Sequence, residues 1–356
     1  MNDNKLYFWL SLSGMSDRRL NALLEVFSPL EVWDSLQSSK KMREFIGDKH
    51  SDALLRFRYE SYLDGELDKI NKKNIRIVTR ASREFPKKLL QKEVCPPALL
   101  YYKGDLSLTE TNCISIVGTR ACSSYGREVA ERFARDLAAA GVTVVSGLAT
   151  GIDAYAHAET LKNGGKTIAV LGGGFDHVTP SSNVKLSEEI EYSGLMITQY
   201  LPQWPPNKYT FPERNRLISG LSLGTIVIEA SEKSGAIITA DFALEQGREV
   251  FAVPGNITST RSKGTNKLIL QGARPALCVD DILTELRLNI PKKEKSNVLT
   301  LDFYEEKIYT LLSGGDKTLE ELIEQTDMRA SEVNSTVTGM EIKGLIVRIA
   351  NTYGIR

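Results

Sequence analysis

The chain has 356 residues, and its 45 Lys and Arg balance 45 Asp and Glu, so the formal net charge is zero. Hydrophobic content of 42% and charged content of 25% are ordinary for a globular protein, and the length allows two or three domains of about 150 residues. Nothing in these totals steers the whole chain toward a nucleic acid or a membrane, so any site for a polyanion has to be built locally, by clustering.

The opening stretch MNDNKLYFWLSLSG has no basic n-region and no small-residue cleavage site, which argues against a signal peptide. No run approaches the roughly 18 apolar residues of a membrane helix, so no membrane insertion is expected. Residues 1–65 predict a small helical domain of the helix-hairpin-helix or SAM-like sort. Leu20, Leu23, Leu24 and Phe27 recur at helical spacing, and Gly14 and Gly47 punctuate the run. Backbone contact with nucleic acid, protein contact and a purely structural role are all open for it.

Residues 66–290 predict the core domain. IRIVTR (75–80) and PPALLYYKGD (96–105) read as extended runs, and a regular alternation follows. Strands CISIVG, VTVVSG, TIAVLGGG, LMITQY, GTIVIEA and EVFAVPG are separated by helical stretches, of which residues 126–140 carry a stripe of Val129, Phe133 and Leu137. Continuously apolar strands between helices predict an α/β fold, a doubly wound, Rossmann-like parallel sheet covered on both faces. PKKEKSN opens a polar linker over 291–299. Residues 300–356 then offer three helices and LIVRIANTYGIR, a hairpin turning at Asn351, which is the pattern of a winged helix.

Ligands of such sheets bind beyond the carboxyl ends of the strands, where helix N-termini present free N–H groups. The segments following the strands are Gly118-Thr119-Arg120, Ser146-Gly147-Leu148-Ala149-Thr150-Gly151, Gly172-Gly173-Gly174, Ser231-Glu232-Lys233-Ser234-Gly235, and Asn256. Small, hydroxyl and glycine residues let a phosphate approach backbone amides. Five such segments on one edge predict an anion site. Neither G-x-G-x-x-G after the first of these strands nor a P-loop pattern is present, which counts against a dinucleotide or ATP cofactor, and no cofactor is expected. The four cysteines are scattered, with no C-x-x-C pair, which argues against a zinc ribbon or a disulfide framework. They fit a reducing compartment, and the expected location is the cytoplasm.

FPERNRLISGLS (211–222) places Arg214 and Arg216 beside an apolar helix, and Arg120 follows a strand. Guanidinium forks fit phosphate oxygens, and Lys208, Lys233, Lys263 and Lys267 fall in neighbouring turns among Trp204, Tyr209 and Phe211. Basic groups beside aromatic faces are what single-stranded nucleic acid requires. The competing reading pairs the arginines with Glu213 and Asp241 in a structural network and puts Phe211 in the core. Asp153, His157 and Glu229 offer a possible acid–base set. The alternative is that Asp153 caps its helix while His157 packs or hydrogen-bonds nearby.

The motifs IVGTR (116–120), SGLATGIDAYAH (146–157), FPERNRLISGLS, EASEKSGAIITADFALEQGREVFAVPG (229–255) and GTNKLILQGA (264–273), in order and spacing, closely resemble the DNA-processing protein A family, DprA or Smf. The resemblance implies a non-catalytic, extended Rossmann-like core that binds and protects single-stranded DNA during natural transformation, loads the RecA recombinase onto it, and forms homodimers. It implies that Arg120 meets a DNA phosphate, with Gly118, Thr119, Ser146, Gly147, Thr150, Gly151, Arg214, Asn215 and Arg216 around the same pocket. Phe211, Lys233, Ser234, Gly235 and Lys267 complete the expected DNA-binding set. Ser181 stands where members often carry a basic residue, and Lys185 is the nearby candidate for that contact. Two other functions are weighed against binding. A phosphoribohydrolase would use Glu229 at the end of SLGTIVIEA, and a small-nucleotide sensor would signal through the winged helix.

Overall fold

The structure, a computed structural model, describes residues 1–288, 301–349 and 351–355. The predicted linker lies outside the described residues. The chain forms two compact units, Met1–Pro291 and Lys292–Arg356.

The first unit opens with six helices, α1 (Asp3–Ser11), α2 (Asp17–Val26), α3 (Pro29–Ser35), α4 (Lys40–Ile46), α5 (Asp48–Arg56) and α6 (Glu60–Asn71). Serines start three of them: Ser16, Ser28 and Ser39 accept hydrogen bonds from the amides of Arg19, Glu31 and Met42. Their apolar faces do not close on themselves. Trp9, Leu23, Leu54 and Leu63 share a core with Leu99 and Tyr101 of the sheet's second strand.

The sheet is built from β1 (Arg76–Thr79), β2 (Leu99–Gly104), β3 (Cys113–Val117), β4 (Thr143–Ser146), β5 (Thr167–Val170), β6 (Leu195–Thr198), β7 (Gly224–Val227), β8 (Glu249–Ala252) and β9 (Arg274–Pro275). Interleaved are α7 (Ser124–Ala139), α8 (Ile152–Lys162), α9 (Val184–Ser193), α10 (Thr210–Leu221), α11 (Gly235–Glu245), α12 (Lys263–Leu270) and α13 (Val279–Glu285). Among the described residues the strand order is β1-β2-β6-β5-β4-β3-β7-β8-β9. The strands from β6 to β9 are parallel, while β1 and β2 add an antiparallel margin.

Strand β3 shows why both faces are covered. Cys113 and Val117 point into a core formed with Leu217 and Leu221 of α10 and Ala236 and Ala240 of α11. Ile114 and Ile116 point into the opposite core, with Phe133 and Leu137 of α7 and Ile152 and Ala156 of α8. A strand apolar at four of its five positions is what burial on both sides demands, and the exception, Ser115, donates its hydroxyl to Thr225 Oγ1 at 2.7 Å.

The second unit contains α14 (Phe303–Leu312), β10 (Lys317–Thr318), α15 (Leu319–Thr326), α16 (Ala330–Ile342), β11 (Ile346–Ile349) and β12 (Thr352–Ile355). Its strands form an antiparallel sheet in the order β10-β12-β11, over a core that includes Ile308, Leu322, Val333, Val337 and Ile346. The predicted helices and hairpin are present, and β10 is an addition. Two residues paired to the hairpin are too short a run to carry a strand pattern.

Candidate functional site

From β3 the chain moves outward on one side through β4, β5 and β6, and from β7 outward on the other through β8 and β9. Neighbours β3 and β7 therefore flank the point where the winding reverses, and in sheets of this kind ligands bind beyond the carboxyl ends of the strands at that point. Helices α7, α8 and α11 begin at this edge, capped by Ser123, Gly151 and Ser234. Three helix N-termini at one edge favour a negatively charged ligand.

Arg120, just beyond β3, is exposed and makes no ion pair among the described residues. Its guanidinium lies 5.2 Å from the centre of the half-buried Phe211 ring at the start of α10. Stacking on an aromatic face positions the fork while leaving its N–H groups available to an anion. The loop after β8 adds a second cation, Arg261, whose Nε donates to the carbonyl of Ala121 at 2.7 Å. Its own carbonyl accepts from Ala230 N at 2.7 Å, so that loop is tied to the end of β7. The signal for Arg261 in the sequence is the basic run RSKGTNK, which it shares with Lys263 and Lys267. Lys233, Lys263 and Lys267 are exposed in the turn after β7 and in α12.

The paired arginines of α10 do something else. Both were expected to face the ligand, and both are buried, Arg214 to 4% exposure and Arg216 to 6%. Arg214 Nη1 donates to the carbonyl of Gly147 at 2.7 Å and to that of Val170, the last residues around β4 and β5, and its Nε donates to Asn215 Oδ1 at 3.0 Å. Asn215 passes the link on, donating to the carbonyl of Gly235 at 3.2 Å. Burial, reinforced by the neighbouring Arg120 charge and opposed by Asp153 and Tyr200, brings the Arg214 guanidinium down to about 10. Arg214 is thus a brace beneath three of the strand-end turns. Arg216 turns away from it. Its Nη1 donates to the carbonyls of Val94 and Cys95, and its Nη2 to Gln199 Oε1 at 2.6 Å and to the Asp17 carboxylate of α2. Burial outweighs the Arg216 charge and lifts the Asp17 carboxyl to about 6.

The pairing partners foreseen for the arginines are also replaced. Glu213 accepts from the Tyr200 hydroxyl at 2.9 Å, and Asp241 is exposed. Asp17, 199 residues before Arg216 in the chain, carried no sequence signal for this role.

The turn after β4 is the most constrained. Leu148 is fully buried with φ at 57°, a left-handed conformation costly for a side-chain-bearing residue. Asn183 holds it there, donating to the carbonyls of Leu148 and Ala149 at 3.0 and 3.2 Å. Gly151 has φ at 78°, and a Cβ on it would sit 2.5 Å from the Thr119 carbonyl and 2.6 Å from that of Arg120. Glycine here lets the turns after β3 and β4 touch. Ser146 is buried, its hydroxyl donating to the carbonyl of Ile116 at 2.6 Å, and the Gly147 amide is already given to Asp153 Oδ2 at 3.1 Å.

Gly118, Thr119, Arg120, Gly151 and Phe211 are therefore brought together, with Thr150 half-buried beside them and Asn215 linked to Gly235. Ser234 serves as the cap of α11. Lys185 lies apart, in a shallow groove between α8 and α9 with Lys162, Glu188 and Tyr192.

No acid–base set assembles among the described residues from Asp153, His157 and Glu229. Asp153 serves the Gly147 amide, and burial raises its carboxyl against the pull of Arg214. His157 Nδ1 bonds Thr167 Oγ1 at 2.7 Å, and burial followed by the Arg214 charge lowers the imidazole to about 3. Glu229 accepts from the amide and hydroxyl of Ser123 at 2.8 and 2.6 Å, anchoring the start of α7. Asp153 and Glu229 each hold a turn, and His157 ties α8 to the start of β5.

The profile for DNA recombination-mediator protein A matches residues 76–287, which span the whole sheet and the helices that cover it. The chain belongs to that family. DNA processing protein DprA of Bacillus subtilis is 38% identical over 276 residues, covering 75% of this chain and 93% of that protein. Protein Smf of Escherichia coli is 34% identical over 300 residues, covering 82% and 80%. Among solved structures, DprA of Streptococcus pneumoniae aligns with a TM-score of 0.68 at 33% identity, over 80% of this chain and 98% of that one. DNA processing protein A of Helicobacter pylori, described for its single-stranded DNA binding mode, aligns with a TM-score of 0.53 at 30% identity, over 60% and 95%. No helix among the described residues is long and apolar enough to cross a membrane.

Proposed function

We propose that the strand-end edge of the first unit holds single-stranded DNA by its phosphates, largely without regard to sequence and without covalent chemistry. The observation that carries this is Arg120: an exposed guanidinium with no ion pair among the described residues, stacked on Phe211, at the winding reversal, among three helix N-termini. Arg261, Lys233, Lys263 and Lys267 extend the positive surface. Arg214 acts through the turns it braces, and Arg216 through the anchoring of α10. The H. pylori relative's single-stranded DNA binding supports the reading.

Phosphate neutralisation releases counterions, so affinity for a short oligo-dT should fall steeply with salt. Replacing Arg120 by Ala should weaken binding about tenfold on several sequences alike and make the log–log salt slope shallower by about 0.7, one single-strand phosphate contact. Unchanged affinity and slope in an anisotropy titration would remove Arg120 from the site.

In the cell this binding would protect incoming single strands in the cytoplasm and pass them to the RecA recombinase, with the chain acting as a homodimer. The second unit, read as a winged helix, would serve as an accessory module. Resemblance to the family motivates these assignments, and a RecA filament-assembly assay on strands coated with the DNA-binding protein of the host would test the hand-over.

A further inference from the structure

Beside the phosphate edge lies a recess of about 350 Å³ that the reading above leaves unused. It opens between α2, the start of β2 and the segment leading into α10, and its lining includes Asp17, Tyr101, Tyr200, Trp204, Tyr209 and Glu213. Its aromatic rim is unusually open to solvent: Trp204 is 45% exposed and Tyr209 is 71% exposed. Deep inside, the Tyr101 side chain is buried, its hydroxyl beside that of Ser11. Glu213 uses only Oε2, for Tyr200, which leaves Oε1 with no partner among them.

Helix α10 joins this recess to the phosphate edge within one turn. Thr210 and Glu213 line the recess, Phe211 between them lies under Arg120, and Arg214 braces the adjoining turns. A strand held by its phosphate at Arg120 therefore has a neighbouring base within reach of planar aromatic walls and a free carboxylate oxygen.

Resting on the single-strand reading, we propose that this recess receives one unpaired nucleobase of the bound strand, favouring bases with an exocyclic amino group over thymine. Aromatic side chains stack any base, which suits a nucleic-acid ligand rather than a simple cation. A carboxylate oxygen accepts from an amino group such as cytosine N4. Thymine offers two carbonyls around a single imino donor, and a carboxylate repels the carbonyls. Two carboxylates also make the recess unfit for a phosphate, which keeps backbone and base on opposite sides of Phe211. The phosphate edge supplies most of the affinity on any sequence, and the recess adds a preference.

The test uses the full chain and three fluorescent oligomers of equal length: dC, dT, and an abasic backbone. Wild type should bind dC more tightly than dT, and either more tightly than the abasic strand, by about tenfold for one stacked base. Trp204→Ala and, independently, Tyr209→Ala should shrink the gap between base-bearing and abasic strands while leaving abasic affinity unchanged. Glu213→Gln should shrink the gap between dC and dT. Ratios that stay at wild-type values in all three variants overturn the proposal, as does a wild type that binds abasic and base-bearing strands equally, an outcome that leaves the phosphate site standing. A wild type that binds none of the oligomers overturns both readings.

Discussion

Arg214 offers the sharpest test of whether the arginine motif contacts a ligand or supports the structure that does. Replacing it by Ala removes three side-chain hydrogen bonds and leaves the carbonyls of Gly147 and Val170 short of a partner in a buried place. It also strands Asp153, whose carboxylate has the Arg214 charge as its main electrostatic compensation. Removing one member of a buried charge pair typically costs about 3–5 kcal/mol, most of it from the charge left behind. All three tryptophans, Trp9, Trp33 and Trp204, lie in the first unit, so their fluorescence in a urea titration follows that unit alone. With a slope of about 3 kcal/mol per molar urea, the midpoint should fall by roughly 1–1.7 M. Adding Asp153→Asn to the Arg214 variant should recover at least about 1 kcal/mol, because the stranded charge is gone. A variant with an unchanged midpoint and no DNA binding would refute the bracing argument and return Arg214 to direct contact.

Other consequences are open to equally direct measurement. Gly151→Ala forces a Cβ against two carbonyls at a positive φ, and should lower stability by more than about 1 kcal/mol and weaken single-strand binding together, in the same urea and anisotropy assays. Glu229→Gln should cost about 1–2 kcal/mol by loosening the start of α7, and should leave no nucleoside-cleaving activity to lose when nucleoside monophosphates are assayed for freed base. Asp17 titrates near 6 in the fold and near 3.8 when unfolded, so the folded chain holds its proton longer. Stability should therefore decline between about pH 4 and pH 6 by up to about 1.4 kcal/mol per pH unit from this group. That component should be absent from Asp17→Asn, measured as the difference between the two pH–stability profiles.

The fold was readable because its evidence is local. Largely apolar strands of four or five residues, separated by striped helices, require two covering layers, and β3 meets that requirement with two apolar residues on each face. The strand-end turns were readable for the same reason: glycine and serine after a strand mark a tight turn wherever the chain goes next. Arg120 belongs to this class, since its position just past β3 places it at the edge. The direction taken by Arg214 and Arg216 was not readable, because composition reveals charge but not direction. Both lie on a helix whose buried face is set by Leu217, Ile218 and Leu221, and the backbone carbonyls that receive their guanidiniums come from β4, β5 and the segment before β2.

By itself, then, the sequence determined the layers, the order of the turns and the concentration of phosphate-compatible residues along one edge, since each follows from short-range spacing. Only the tertiary structure decided which charges face outward. Burial of a charge depends on partners supplied from afar, as Asp17 is to Arg216, or on carbonyls left over at strand ends, as Gly147 and Val170 are to Arg214. A guanidinium without such partners cannot be buried at acceptable cost, and Arg120, resting on Phe211, is the one of the three that stays at the surface.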